Sequence, residues 1–275
     1  MLATPGAVSP QTDGLQEKIG ARLAAGDLDI PMLPRVAGAV IALTQDPTAD
    51  MASLARFIQQ DPALASRVMK IANSPSYRGV TPMASLQQAI ARLGMKVMGE
   101  VALAASIGAR VFSARGYESD MQALWHHAVL SAGWAREIAR IRRTNVEAAF
   151  MCGLLHQIGK PVVLQLVTEL SPVPPTQAML SDIISEFYVP AGAQLAGAWG
   201  LPAMVVTTIN CHNRYETASE FPNETMIVAA ARRLATEPDS TGNEVLQHLN
   251  FYDDDIEALL AALPRVSAMA QVMAL

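Results

Sequence analysis

Apolar residues recur at α-helical spacing through almost the whole chain, and the stretches that carry them are cut by Asp-Pro, Gly and multi-proline breaks. Met51, Leu54, Ala55 and Ile58 follow the i, i+3, i+4, i+7 pattern. Asp61-Pro62 then supplies an N-cap and an N1 proline for a second run through Leu64, Val68 and Ile71. Upstream, Leu15, Ile19 and Leu23 mark a short helix ending near Gly26, and Pro34 opens a helix with Val36, Val40 and Leu43 that breaks at Asp46-Pro47. Ser85-Leu86-Gln87-Gln88 has capping-box spacing, and Gly94 closes the segment that holds Ile90 and Leu93. No stretch alternates apolar and polar residues long enough for a convincing strand. The expected fold class is therefore all-α, with no sheet beyond a minor hairpin.

The later segments continue the pattern. From Met95 the helix runs through Val101, Ala105 and Phe112 to a break at Gly116. The next spans about Met121 to Ile141, with His127, Leu130, Trp134, Ile138 and Ile141 on an inward face. His126 lies with Gly133, Glu137 and Arg140 on a more polar one. An apolar helix starts at Val146, and Gly159-Lys160-Pro161 is expected to stop it. On it Ala149, Cys152, Gly153 and His156 share a face of small residues, which lets a neighbouring helix approach closely and holds His156 in a packed position. Pro172, Pro174 and Pro175 interrupt the chain, a helix follows to about Tyr188, and the Asp253-Asp254-Asp255 run in the tail suits a helix N-terminus.

Composition supports a sizeable helical core: of 275 residues 51% are hydrophobic, 16% charged and 5% aromatic. A formal charge of −5 argues against a surface adapted throughout to nucleic acid, so direct nucleic-acid binding is not expected. Cys152 and Cys211 form no CxxC pair and are expected to be free thiols, Cys152 as a buried structural residue. No uninterrupted apolar run reaches the ~18 residues of a membrane span, and Met1 to Asp13 lacks the basic and apolar regions of a signal peptide. A cytoplasmic location, no membrane contact and a mobile N-terminal arm are the expectations.

Gly153-Leu154-Leu155-His156-Gln157-Ile158-Gly159-Lys160 closely resembles the motif Gly-Leu-Leu-His-Asp-Ile-Gly-Lys of the HD phosphohydrolase superfamily, and especially of its HDOD branch. Gln157 stands where the motif has Asp. The fragments IPMLPRV, QQDPALASRVMKIANSPSYRG and SLQQAIARLG are similar to the opening half of an HDOD domain in order and spacing. LWHHAVLSAGWAREIA resembles the segment that supplies the first metal histidine, which places His127 at that position. GAQLAGAWGLPAMVVTTINCHN matches a pattern ending in His-His, of which His212 keeps the first and Asn213 replaces the second. Tyr188 falls where relatives often carry His, and TMIVAAARRLA holds Ala231 and Arg232 where the last acidic ligand belongs.

The resemblance covers roughly residues 27–235. It implies an N-terminal helical bundle (27–115) packed on an HD-like helical subdomain (116–235), flanked by an arm and short helix (1–26) and a helical tail (236–275). Hard divalent cations need anionic oxygen or imidazole ligands, and Gln157 supplies little of that. The expectation is thus no catalytic residue, no dinuclear centre and no cofactor, although three converging histidines would suit a single metal such as zinc. His127, His156, Gln157, Lys160 and His212 are expected to line an inherited ligand-binding hollow. Taken singly, an inward His is more often a core residue, and Lys160 is equally a helix-end cation. The Asn73–Gly79 loop reads first as a stabilising turn, with Tyr77 and Arg78 as candidates for a partner surface.

HDOD proteins are bacterial, take part in signal transduction and often accompany cyclic-di-GMP modules. The resemblance implies a non-enzymatic regulatory module that binds a protein partner or a nucleotide, with any cyclic-di-GMP link made through a separate partner. The alternative is an unusual metal-dependent phosphohydrolase.

Overall fold

The computed structural model describes residues 10–45, 51–74, 77, 81–238 and 244–273. Among them there is no strand. Five helices form the first part: α1 (Pro10–Ala24), α2 (Arg35–Gln45), α3 (Met51–Gln59), α4 (Pro62–Ala72) and α5 (Leu86–Val111). Six follow: α6 (Glu118–Arg142), α7 (Val146–Leu155), α8 (Gly159–Leu170), α9 (Gln177–Ala198), α10 (Ala203–Cys211) and α11 (Pro222–Thr236). The tail adds α12 (Glu244–His248), α13 (Asp253–Leu260) and α14 (Leu263–Val272).

The local signals act as physical chemistry requires. The Asp61 carboxylate accepts the Leu64 N–H at 3.0 Å and caps α4. Ser85 Oγ accepts the Gln88 N–H at 3.2 Å, while the Gln88 amide oxygen takes the N–H of Ala84 rather than that of Ser85, so the reciprocal half of the expected box is shifted by one residue. α5 breaks at Gly94, where φ is 77° and ψ is 160°. The turn after α4 is closed by Asn73, whose side chain both donates to the Met83 carbonyl (2.9 Å) and accepts its N–H (2.7 Å). At the N-terminus, residues 1–9 of the expected arm lie outside the described residues, and Pro10–Asp13 belong to α1. Leu15, Ile19 and Leu23 of α1 are buried, and the helix packs on α8 and α9.

Helix α6 is the centre of the second half, flanked by α7, α11 and α14. Buried residues from Leu15 to Met269, Ala270 and Met273 form one continuous cluster. A second cluster joins Trp134 and Ile138 of α6 to Ile227 of α11 and to Leu246, Phe251, Leu259 and Val266 of the tail. The tail corrects the expected polar face of α6. Gly133 and Glu137 are buried beneath α14, where a Cβ on Gly133 would lie 3.0 Å from Val266 Cγ1. Glu137 is satisfied there by Arg140 Nε (2.8 Å), Arg265 Nη2 (2.8 Å) and Arg136 Nη2 (3.4 Å). Three guanidinium groups from two helices make a buried carboxylate tolerable.

Two further boundaries differ from the sequence reading. Gly159-Lys160-Pro161 does not end the ordered run. α7 stops at Leu155, one turn intervenes, and α8 opens at Gly159 with Pro161 in its first turn, where a missing N–H costs nothing. Likewise α9 does not stop near Tyr188 but passes through Pro190 to Ala198. The proline forfeits one backbone bond, yet Ile183, Tyr188, Ala191, Leu195 and Ala196 are buried on both sides of it, and their packing carries the helix across. The span Val146–Leu170 is long and apolar enough to cross a membrane by length and composition alone, but 83% of its most apolar 18 residues are buried in the α7–α8 core.

Candidate functional site

Two glycines bring the motif into register with its neighbours. A Cβ on Gly153 would lie 2.8 Å from both Ala132 Cα and Ser131 O, so α7 lies directly against α6 as the small-residue face predicts. A Cβ on Gly159 would overlap the Tyr188 carbonyl and lie 2.5 Å from Gly192 N, so α8 starts against the backbone of α9. His156, in the turn between α7 and α8, is thereby held at the meeting point of α6, α9, α10 and α11.

The three predicted histidines come together. The His127 and His156 ring centroids are 6.1 Å apart, and those of His156 and His212 are 5.0 Å apart with the rings perpendicular. His156 is wholly buried and His212 nearly so, whereas His127 is half-buried. His156 Nδ1–H donates to the Gly153 carbonyl at 2.8 Å, which leaves Nε2 as a bare, buried acceptor without a hydrogen-bond partner. His212 Nδ1–H donates to the Ile209 and Thr208 carbonyls at 3.0 and 3.1 Å. Its Nε2 accepts from the Tyr188 hydroxyl at 3.2 Å, and the Asn213 amide donates to that same hydroxyl oxygen. The two departures from the family pattern, Tyr188 and Asn213, thus form one chain ending on His212.

Charge in the site is positive. Lys160 Nζ lies 5.4 Å from the centre of the Tyr188 ring and makes no ion pair among the described residues. Arg232, half-buried on α11, has a buried Nε with no partner. Burial first, then the Arg232 charge, pushes Lys160 down to about 8. Burial, reinforced by Lys160 and Arg232, takes His127 down to about 4. Burial, with Arg232 next, does the same for His212, also to about 4. Burial and the flanking His212 and His127 hold His156 well below the usual imidazole range. All three rings are therefore neutral at neutral pH. Arg232 itself is lowered by burial.

This donor set does not fit the metal centre of the HD phosphohydrolases. It offers three imidazoles, one already committed to Tyr188, no carboxylate among the described residues, and two cations that repel a metal ion. Among the described residues no group of three His, Cys, Asp or Glu side chains is placed to hold a metal.

Gln157, next to His156, is buried at 9% exposure. Cys152 is wholly buried, and burial pushes its thiol up to about 12. Tyr77 is half-buried with its hydroxyl enclosed, and desolvation raises its pKa. It packs against the core while part of the residue stays exposed. Arg78 lies outside the described residues. Arg232 stands where the pattern has a carboxylate, and an inward Arg there is expected to repel a divalent cation; the structure half-buries it on α11. A separate cavity of about 590 Å³ opens between α2, α3, α4 and α5, with Arg35, Arg67, Arg110 and Phe57 among its lining. Its lining includes residues of the IPMLPRV and QQDPALASRVMKIANSPSYRG fragments, which sequence reading did not connect with a cavity.

The family model of the HDOD domain matches residues 30–215. The chain belongs to the HDOD family. Solved structures share the fold of this HDOD protein at low sequence identity. An HDOD domain protein of unknown function from Geobacter sulfurreducens superposes with a TM-score of 0.70 at 20% identity, covering 96% of this chain and 99% of that one. A Shewanella amazonensis protein provisionally named a metal-dependent phosphohydrolase gives 0.72 at 20% identity, covering 95% and 100%. A Marinobacter aquaeolei VT8 protein provisionally named for signal transduction gives 0.69 at 21% identity, covering 96% of this chain and 66% of that one. An uncharacterized protein of Treponema pallidum (strain Nichols) is 28% identical over 217 residues, 74% of this chain and 41% of its own length. The HDOD protein thus spans about two fifths of that curated relative.

Proposed function

We propose that this HDOD protein is a non-enzymatic regulatory module of bacterial signal transduction, acting by binding a protein partner or a nucleotide. The observation that carries this reading is the charge of the inherited site. Where a hydrolytic HD centre needs carboxylates around a cation, this chain sets Lys160 and Arg232 beside three neutral histidines. Metal-assisted hydrolysis needs a bound cation that lowers the pKa of a water and polarises the phosphoryl oxygen. A site that repels the cation loses both effects together. The name of one structural neighbour, in signal transduction, agrees with the regulatory half of the proposal.

The test is turnover of generic phosphodiesters and cyclic dinucleotides with added manganese, iron or magnesium, by the wild type and by Gln157→Asp. Neither protein is expected to turn over substrate, because one restored carboxylate leaves Tyr188, Asn213 and Arg232 in place. Robust metal-dependent turnover by the wild type would overturn the proposal in favour of an unusual phosphohydrolase.

A further inference from the structure

The cavity in the first half of the chain has a basic lining that no contact of the fold uses. Along α5, Ala105, Ser106 and Ala109 face it with side chains too short to fill the space between α2 and α4. The opening they leave, about 590 Å³, lies within the ~300–1,000 Å³ that hold one small organic molecule. Three arginines from three helices line it: Arg35 opens α2, Arg67 sits within α4 and Arg110 is in the last turn of α5. None of the three makes an ion pair among the described residues. Of the described lining residues Asp61 alone is acidic, and its carboxylate already accepts the Leu64 N–H at 3.0 Å as the α4 cap. Three guanidinium groups against one carboxylate leave the lining with two net positive charges. Apolar surface accompanies them. Phe57 of α3 is half-buried, and Met32, also in the lining, is 88% exposed.

Guanidinium forks match both carboxylate and phosphate, and here the charge decides between them. A phosphomonoester carries about −1.5 to −2 at neutral pH and offers three acceptor oxygens, one for each arginine. A carboxylate brings a single charge and two oxygens, which one arginine alone can satisfy. We propose that this cavity binds a small phosphomonoester, its phosphate held among Arg35, Arg67 and Arg110 and its organic part resting against Phe57 and Met32. The confined volume suits one small molecule rather than a phosphorylated protein segment, which lies along an extended surface. The inference goes beyond the non-enzymatic reading and concerns a different place in the fold, so either can fail without the other.

The test is isothermal titration calorimetry of the full chain with adenosine monophosphate, adenosine, inorganic phosphate and a short phosphoserine peptide, in the presence of a chelator. Saturable binding of adenosine monophosphate is expected, with inorganic phosphate weaker for want of the organic part and adenosine silent for want of the charge. Affinity for adenosine monophosphate should fall about tenfold or more in Arg67→Gln and in Arg110→Gln, as removal of a charge-assisted bond implies. Arg142→Gln, on the exposed end of α6, should leave it unchanged. Arg110 is exposed, so its variant is expected to fold, and circular dichroism verifies this for both. Absence of saturable adenosine monophosphate binding by the wild type overturns the proposal and leaves the non-enzymatic reading standing. Full affinity in either folded cavity variant, or an equal loss in Arg142→Gln, removes the ligand from this cavity and overturns it as well. Adenosine binding as tightly as its monophosphate would refute the role of the arginines. Tighter binding of the phosphoserine peptide would assign the cavity to a protein partner instead.

Discussion

Replacing His127 by Gln should remove a large part of the acid lability of the fold. Burial, with the Lys160 and Arg232 charges, holds the His127 pKa at about 4. In the unfolded chain the ring titrates near ~6.5. Between those values the unfolded state binds a proton that the folded state refuses, so stability falls as the pH falls. From about pH 7 to about pH 5 this one ring costs the wild type about 2 kcal/mol. His212, held at about 4, and His156, lower still, act in the same direction. Glu100 acts in the opposite one. Burial raises its carboxyl to about 7 against the pull of Arg136, so its contribution is largest at low pH and is lost as the pH rises through 7. Comparing the variant with the wild type at both pH values cancels those common contributions. His127 is half-buried, so a Gln of similar reach fits without opening a cavity. Urea unfolding followed by far-ultraviolet circular dichroism should show that acidification costs the variant about 2 kcal/mol less than the wild type. Identical losses in both proteins would mean that His127 titrates as a solvated ring, and the electrostatic description of the site would be refuted.

Gly159→Ala should destabilise the chain by about 3 kcal/mol in urea melts, because the new Cβ meets the backbone of α9 at Tyr188 and Gly192, which cannot move aside as a side chain can. A loss below about 0.5 kcal/mol, the range of ordinary surface changes, would show that the two helices are further apart than described. Glu137→Gln should cost about 3 kcal/mol and lower the thermal midpoint, because Arg136, Arg140 and Arg265 lose their shared buried carboxylate. An unchanged midpoint would demote that cluster to a solvated surface network.

The fold class was legible because helical spacing and proline breaks are local. Asp61 capping Leu64 and the burial of Leu54, Ile58, Val68 and Ile71 follow directly from it. Failures arose where tertiary packing overrides local chemistry. Pro190 is carried inside α9 by burial on both sides, and Gly159-Lys160-Pro161 begins a helix instead of ending one. The polar face assigned to α6 was misread because nothing in Gly133 or Glu137 reveals that α14 returns over them. For the site, the histidines were legible as motif positions, and their convergence followed. Arg232 was legible as a cation in place of a carboxylate, but not its direction, because the Lys160 and His212 that its charge acts on are distant in sequence. Arg35 and Arg67 of the 590 Å³ cavity lie within the fragments that carry the family resemblance, but nothing local in the sequence shows that they meet Arg110 around one cavity.

The central claim is that this HDOD site no longer holds hard divalent cations, and manganese titration followed by electron paramagnetic resonance tests it most directly. Free hydrated Mn(II) gives a sharp signal that broadens away when protein oxygens and imidazoles replace its water. The account predicts that the free signal grows in proportion to added metal up to about millimolar concentration, because a site with two cations and no carboxylate cannot offset the lost hydration. Disappearance of the free signal for the first one or two equivalents per chain, with recovery when His127 or His156 is replaced, would contradict it.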